Sequence, residues 1–397
     1  MTLTDPFAAP AFRFARRGVL VGLPAAAALA SSPLMRRIAW AQQTLASGKL
    51  IIHRAAPLMA EAPLASLTSA ITPNELFHIL TIMADPLPDI APANWRLSVE
   101  GQVESPITLN YDQLRALPAQ TVTAVLECAG NSRNSVSPPL PKSFLNNGYV
   151  GNARWRGAPL RLVLERSGVK PEARDIVLEG ADRGKPAFAP REVAFAKAIP
   201  IDKALHPETL IVYEMNDALL PREHGGPVRA LVPGWYGTYH VKWLTRIEVL
   251  DRPFDGVFMT ELWRVRHRDG GYVQLGMVDQ VAVKSLIFTP GPDEALPVGA
   301  HTIQGAAWSG GKDIASVQVS TDSGATWRFA HLLDAGENNS PYAWRQWEFP
   351  WEAREPGTYT LMARATDTSG TAQPFAYDLD KNGFAVNQVQ PVTVKVT

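Results

Sequence analysis

The sequence predicts an α+β domain over residues 72–280 followed by an antiparallel β-sandwich of immunoglobulin type over residues 281–397. Three observations predict it. The chain has 397 residues, more than one ordinary core holds, and 46% of them are apolar against 19% charged, a balance that excludes disorder for most of its length. Its 33 prolines and 29 glycines demand many turns, which suits sheets better than a helix bundle. The texture also changes near Val281, where mixed strands and helices give way to short alternating strands separated by Gly and Asp turns.

Residues 1–41 read as a targeting leader, with Arg16-Arg17 ahead of a small-residue apolar run from Val19 to Ala30 and a processing site at Ala39-Trp40-Ala41. That run is shorter than the roughly 20 apolar residues that span a bilayer. The expectation is a signal peptide of twin-arginine type, export in the folded state to a periplasm, and no membrane span in the mature chain. Residues 42–71 form a Pro/Ala-rich lead-in. Trp95 to Val103 alternates like a strand, and Asn110 opens a short helix over Tyr111 to Leu117. Thr121 to Cys128 is a β-branched strand, Leu160 to Gly168 has helical spacing with a glycine stop, and DIVLEGAD and TLIVYEMN are further strands. In the sandwich, Ala315, Val317 and Val319 alternate before an Asp322-Ser323-Gly324 turn. Tyr359, Leu361, Ala363 and Ala365 alternate in a later strand, and VTVKV closes the chain.

Lys plus Arg and Asp plus Glu number 38 each, which leaves no electrostatic footprint for nucleic acid and no polybasic membrane anchor. The single cysteine, Cys128, excludes an intramolecular disulfide, a CxxCH haem attachment and any multi-cysteine metal site. A lone cysteine after a strand is ordinarily a small buried core residue. Here it enters Ala129-Gly130-Asn131-Ser132-Arg133-Asn134, a polar loop able to turn tightly. A thiol at a strand end, with Arg133 near to favour thiolate, is how a soft ligand is offered to a soft metal.

LECAGNSRNSV resembles the cysteine loop of the sulfite-oxidase family of molybdenum enzymes. Val212 to Val249, VYEMNDALLPREHGGPVRALVPGWYGTYHVKWLTRIEV, is similar to that family's cofactor-cradling segment, and Tyr342 to Trp351 resembles part of its dimerisation domain. The resemblance covers about residues 50 to 397 and carries several expectations. The first domain binds a molybdenum–molybdopterin cofactor, with Cys128 as the metal ligand. His224, Arg229 and Lys242 contact the cofactor, together with the backbone around Thr238, His240 and Val241. Asp182 stands at another cofactor-binding position. A phosphate-bearing heterocycle needs fixed cations and donors, so the residue types fit. Each has a bland alternative: His224 capping a turn, Arg229 pairing with a surface carboxylate, Lys242 solvated. Trp243 reads as core packing, whereas Trp235 and Tyr236, in a Gly-flanked loop, are candidates to reach the site.

The substrate pocket departs from the family pattern. Arg133 and Arg345 match two positions that hold an oxyanion, but a third arginine position is Leu80, the pocket tryptophan aligns with Leu145 and the active-site tyrosine with Trp263. His78, beside Leu80, is a candidate switchable donor or cofactor contact. The resemblance implies oxygen-atom transfer to sulfite or a related sulfur compound, with electrons passed to a c-type cytochrome or other carrier. It also implies a homodimer, and the chain itself carries no haem. Two alternatives stand beside it: reduction of S-oxides or N-oxides on the same cofactor, and a non-catalytic relative.

Overall fold

The computed structural model describes residues 49–262, 265–266, 272–273 and 278–397, so the predicted leader and Trp263 lie outside the described residues. The first unit is mostly β, with α-helices of four to eight residues. It begins with a small antiparallel sheet of β1 (Ile51–Ala55), β2 (Leu58–Glu61) and β3 (Ile79–Leu80). Next come β4 (Arg96–Gly101), β5 (Ile107–Asn110), β6 (Gln120–Glu127), β7 (Val150–Pro159), β8 (Asp175–Gly184) and β9 (Val193–Pro200). They are followed by β10 (Leu210–Met215), β11 (Ala218–Leu219), β12 (Arg229–Leu231) and β13 (Leu244–Leu250). These build two sheets, ordered β11-β10-β7-β6 with β12 also on β10, and β5-β4-β13-β8-β9. Only β4 and β13 run parallel in them.

Local chemistry sets the helix ends. Asn110 accepts from the Gln113 N–H while the Gln113 side chain accepts from the Asn110 N–H, a reciprocal cap that starts α1 (Tyr111–Arg115). The next helix, α2 (Leu160–Ser167), stops at Gly168, whose φ of 67° lies in the left-handed region. Short helices α3 (Ile201–Leu205) and α4 (Val257–Thr260) complete the unit.

A short ladder of β14 (Val265–Arg266) and β15 (Tyr272–Val273) precedes the sandwich. Its strands are β16 (Lys284–Thr289), β17 (Ala295–Leu296), β18 (Gly299–Trp308), β19 (Ile314–Ser320) and β20 (Arg328–Phe329). They continue with β21 (His331–Leu332), β22 (Arg345–Ala353), β23 (Gly357–Asp367) and β24 (Val392–Val396). One sheet is ordered β16-β18-β22-β21 and the other β17-β24-β23-β19-β20. The expected alternation holds for Leu361, Ala363 and Ala365, all buried, but not at Ala315. A register shift between Ile314 and Ser316 turns Ile314 inward and leaves Ala315 exposed, because a bulge reverses the pleat for the residues before it.

The sandwich has its own core around Val317, Trp347 and Leu361. The main core of the first unit does not end at residue 280, however. It runs from Trp95, Leu178 and Val249 into Leu286, Phe288, Trp308, Trp344 and Phe384 of the second unit.

Candidate active site: a cavity beside Cys128

Strand β6 delivers Cys128 to the edge of a cavity enclosing about 790 Å3 of empty space, part of it open to solvent. The loop after it folds back at once. The Asn131 N–H donates to Cys128 O at 2.9 Å, the Arg133 N–H to Gly130 O at 3.1 Å, and Ser132 adopts a left-handed φ of 71°. The Gly130 N–H points at Cys128 Sγ, 3.4 Å away. Gly130 lets the loop pack closely on Leu145, since a Cβ there would lie 2.4 Å from a methyl of Leu145 and displace it. Burial pushes the Cys128 thiol up to about 12, only partly opposed by that N–H and by the Lys284 charge.

The facing wall collects the cations. A 3-10 turn, Arg222–His224, places His224, whose Nε2–H donates to Asn74 O at 3.2 Å. Next to it Gly225 has a φ of 101°, and a Cβ there would press on Lys242 at 2.7 Å, so the glycine lets the lysine approach. Arg229, on β12, is buried and donates to His224 O and His240 O, both at 2.8 Å, with Trp155 under its guanidinium. Burial lowers it to about 9, and lowers His224 and His240 to about 3 each. Lys242 donates to Thr81 Oγ1 and Glu223 O, each at 3.2 Å. A break in the β8–β9 register between Glu179 and Arg183 takes Asp182 out of the ladder and into the cavity wall. Burial pushes the Asp182 carboxyl up and the Lys242 ammonium down, and each group's charge opposes the shift of the other.

Buried polar atoms without a partner mark what the cavity is built to hold. His78 Nδ1, Asp182 Oδ1, Arg229 Nε, Thr238 Oγ1 and His240 Nδ1 all lack a hydrogen bond, and all five residues line the same cavity. Leaving such atoms bare costs about 1–3 kcal/mol each, so their convergence fits a polar ligand that satisfies them. Donors, cations and a single thiol around one space are the set that a phosphate-bearing pterin with a thiolate-ligated metal requires.

The structure therefore brings Cys128, His78, Asp182, His224, Arg229, Thr238, His240 and Lys242 to one cavity. Leu80 lines it as well, next to Ile82, Phe195, Leu126 and Ala129, which make the remaining wall apolar. The arginines expected at the substrate lie elsewhere. Arg133 is buried outside this cavity's lining, donating to Asn382 O at 2.5 Å and stacking on Phe384. Arg345 sits on β22, bonded to Asn339 at 3.0 Å and near Asp313, outside the cavity lining. Tyr236 and Trp235 do not line it either: the Tyr236 hydroxyl accepts from the Ala282 N–H, and Lys203 stacks on Trp235. Trp243 is fully buried with its indole N–H on Arg222 O. Reading the sequence did not single out Phe77, Thr81 and Glu223 in the lining, although Phe77 and Thr81 flank the β3 segment that carries His78 and Leu80 and Glu223 shares a turn with His224.

Comparison with known proteins agrees with this geometry. Residues 84–258 match the oxidoreductase molybdopterin binding domain, and residues 276–395 match the Mo-co oxidoreductase dimerisation domain, which suggests a homodimer. The chain is 34% identical to sulfite oxidase of Gallus gallus over 346 residues, covering 82% of this chain and 73% of that protein. It is 33% identical to mitochondrial sulfite oxidase of Drosophila melanogaster over 380 residues, covering 90% of this chain and 65% of that one. It spans less than two thirds of the length of the Drosophila, mouse and human sulfite oxidases. Among solved structures it is similar to the sulfane dehydrogenase SoxCD from Paracoccus pantotrophus, with a TM-score of 0.74 at 26% identity, covering 85% of this chain and 84% of that one. Fold and site together define a molybdopterin-dependent oxidoreductase. The chain belongs to the sulfite-oxidase family.

Proposed function

We propose that the chain is a periplasmic oxidoreductase that adds an oxygen atom to sulfite or a related sulfur compound and passes the electrons to a c-type cytochrome. The observation that carries this reading is the cavity that joins one thiol, Cys128, to a wall of buried cations with unpartnered donors. When bound, the molybdenum–pterin group supplies two-electron redox chemistry at a single metal. Cys128 would provide its thiolate ligand, and His224, Arg229, Thr238, His240 and Lys242 would hold the polar and anionic edges of the pterin. Arg229 is well placed for that task, because its two outer nitrogens already grip backbone carbonyls and its Nε is left for the ligand. The apolar residues Leu80, Ile82 and Phe195 would exclude water on the substrate side. Conversion of sulfite to sulfate takes its oxygen from water and releases two protons and two electrons, so an electron acceptor is required.

The test is sulfite-dependent reduction of ferricyanide by purified protein, with molybdenum quantified in the same sample. Turnover with near-stoichiometric molybdenum is expected. Full molybdenum with no turnover would refute the sulfite assignment. One observation favours a second reading: among the described residues, both arginines expected to hold an oxyanion are bound to other protein groups, while Leu80 replaces the third. A neutral sulfur substrate, or an S-oxide reduced in the reverse direction, suits such a wall better than a small dianion does. Oxidation of a reduced dye by S-oxides, together with inertness to sulfite, would decide for that reading.

A further inference from the structure

Glu127 immediately precedes Cys128, and its carboxylate accepts from Asn131 Nδ2 of the same loop at 3.0 Å but is otherwise held by the other domain. Lys284 of β16 donates to Glu127 Oε1 at 2.7 Å and to Ser132 Oγ at 2.9 Å, and the side chains of the pair keep 1% and 2% of their exposure. The indole N–H of Trp308, on β18, donates to the other carboxylate oxygen at 2.9 Å. Past the cysteine, the Ala385 N–H donates to Ala129 O at 2.7 Å. The sandwich thus grips the residue before the thiol and two residues after it. A buried ion pair adds little net stability over an apolar pair of the same volume, because desolvation cancels most of the attraction. What it does fix is geometry, since both partners must stay where their charges are matched.

We propose that the sandwich domain is a working part of the metal centre, with Lys284 as a positioning residue that acts through Glu127 and Ser132 to keep Cys128 Sγ on the metal. The role presupposes Cys128 as the metal's thiolate and holds for any substrate. A sandwich that served only to pair two chains would have no use for a buried lysine aimed at the cysteine loop of its own chain.

Cys128 is the only cysteine of the sequence, so a maleimide adduct mapped by mass on the polypeptide reads that sulfur alone. In purified holoenzyme a metal-bound thiolate is protected, and the labelling rate measures how often the loop releases it. Lys284→Met leaves Glu127 without its cation. Labelling should accelerate at least about tenfold, and the electron paramagnetic resonance signal of the reduced metal should split into more than one species. Trp308→Phe keeps the ring and removes one donor. It should shift labelling the same way by a smaller factor, and it serves if Lys284→Met does not fold. Val394→Ala, in the sandwich core, controls for lost stability. Labelling of Lys284→Met and Trp308→Phe no faster than the parent, or equal acceleration in Val394→Ala at matched loss of Tm, overturns the positioning role. Fast labelling of the parent with its molybdenum retained would instead remove Cys128 as the ligand, a different failure with a different signature.

Discussion

His224 and His240 show how a ligand site is prepared at the scale of single residues. Both are buried, both use Nε2–H on a backbone carbonyl, and both lie beside the Arg229 and Lys242 charges or the peptides those charges hold. Burial comes first among the causes that lower them to about 3, with Arg229 contributing to each. In the unfolded chain a histidine titrates near 6.5. Below that pH the unfolded state binds protons that the folded state refuses, so stability is complete above about 6.5 and falls as the pH drops towards 3. Between pH 7 and pH 5 each histidine should cost about 2 kcal/mol. Carboxylates elsewhere add their own pH dependence, so the readout is a difference between proteins. Denaturant midpoints of cofactor-free parent and His240→Gln, compared at both pH values, should show a loss about 2 kcal/mol smaller in the variant. Equal losses would mean that His240 is protonated in the fold or that the site opens in acid.

Elements place these residues, and glycines decide how closely the elements approach. Gly151 on β7 sits against Phe77, where a Cβ would meet ring carbons at 2.6 Å and 2.8 Å. Phe77 in turn stacks on His78 at 5.1 Å and meets His224 edge-on at 5.6 Å. Gly151→Ala should push the ring towards the cavity and carry both histidines with it, costing about 1–3 kcal/mol through overpacking. The expected result is a lower Tm and at least a halving of molybdenum per chain. Unchanged molybdenum content would show that Phe77 yields without disturbing its neighbours. Much of this level was legible beforehand. The spacing of LRLVLERSG gave the helix and its glycine stop, and Thr121 to Cys128 gave the strand that ends at the thiol, because period and punctuation are local properties. The cavity set was legible through resemblance rather than pattern, since Asp182, His224 and Lys242 have nothing local that marks them. Where guanidinium groups point was not legible at all. Arg133 has the family's position, but the carbonyl of Asn382, 249 residues later, takes its side chain. The partner of Glu127 was equally invisible, as Lys284 lies 157 residues away in a strand that otherwise reads as core.

At the scale of the whole molecule, the two units are coupled through their interior. A fold of two independent domains would keep two cores with a polar seam, and each would unfold on its own. Here Trp308 and Trp344 of the sandwich belong to the core of the first unit, and Trp308 also bonds Glu127. Leu286 and Phe288 of β16 join the same core, while Lys284 at the start of that strand pairs with the carboxylate. The cysteine loop is tied across the seam again by Arg133 to Asn382 O and by Gln388 to Ser135 O. Unfolding the sandwich first would expose that apolar surface and strip Glu127 of its lysine and its indole donor. Calorimetry of the full chain should therefore show one transition, with calorimetric and van't Hoff enthalpies nearly equal. A fragment ending at residue 280 should retain no molybdenum, because it keeps the bonds from residues 143–149 to the cysteine loop but loses Lys284, Trp308 and Ala385, which hold Glu127, Ser132 and Ala129. Two resolved transitions would mean that the shared core is too weak to couple the units, and the cysteine loop would then have to be ordered by the first unit alone.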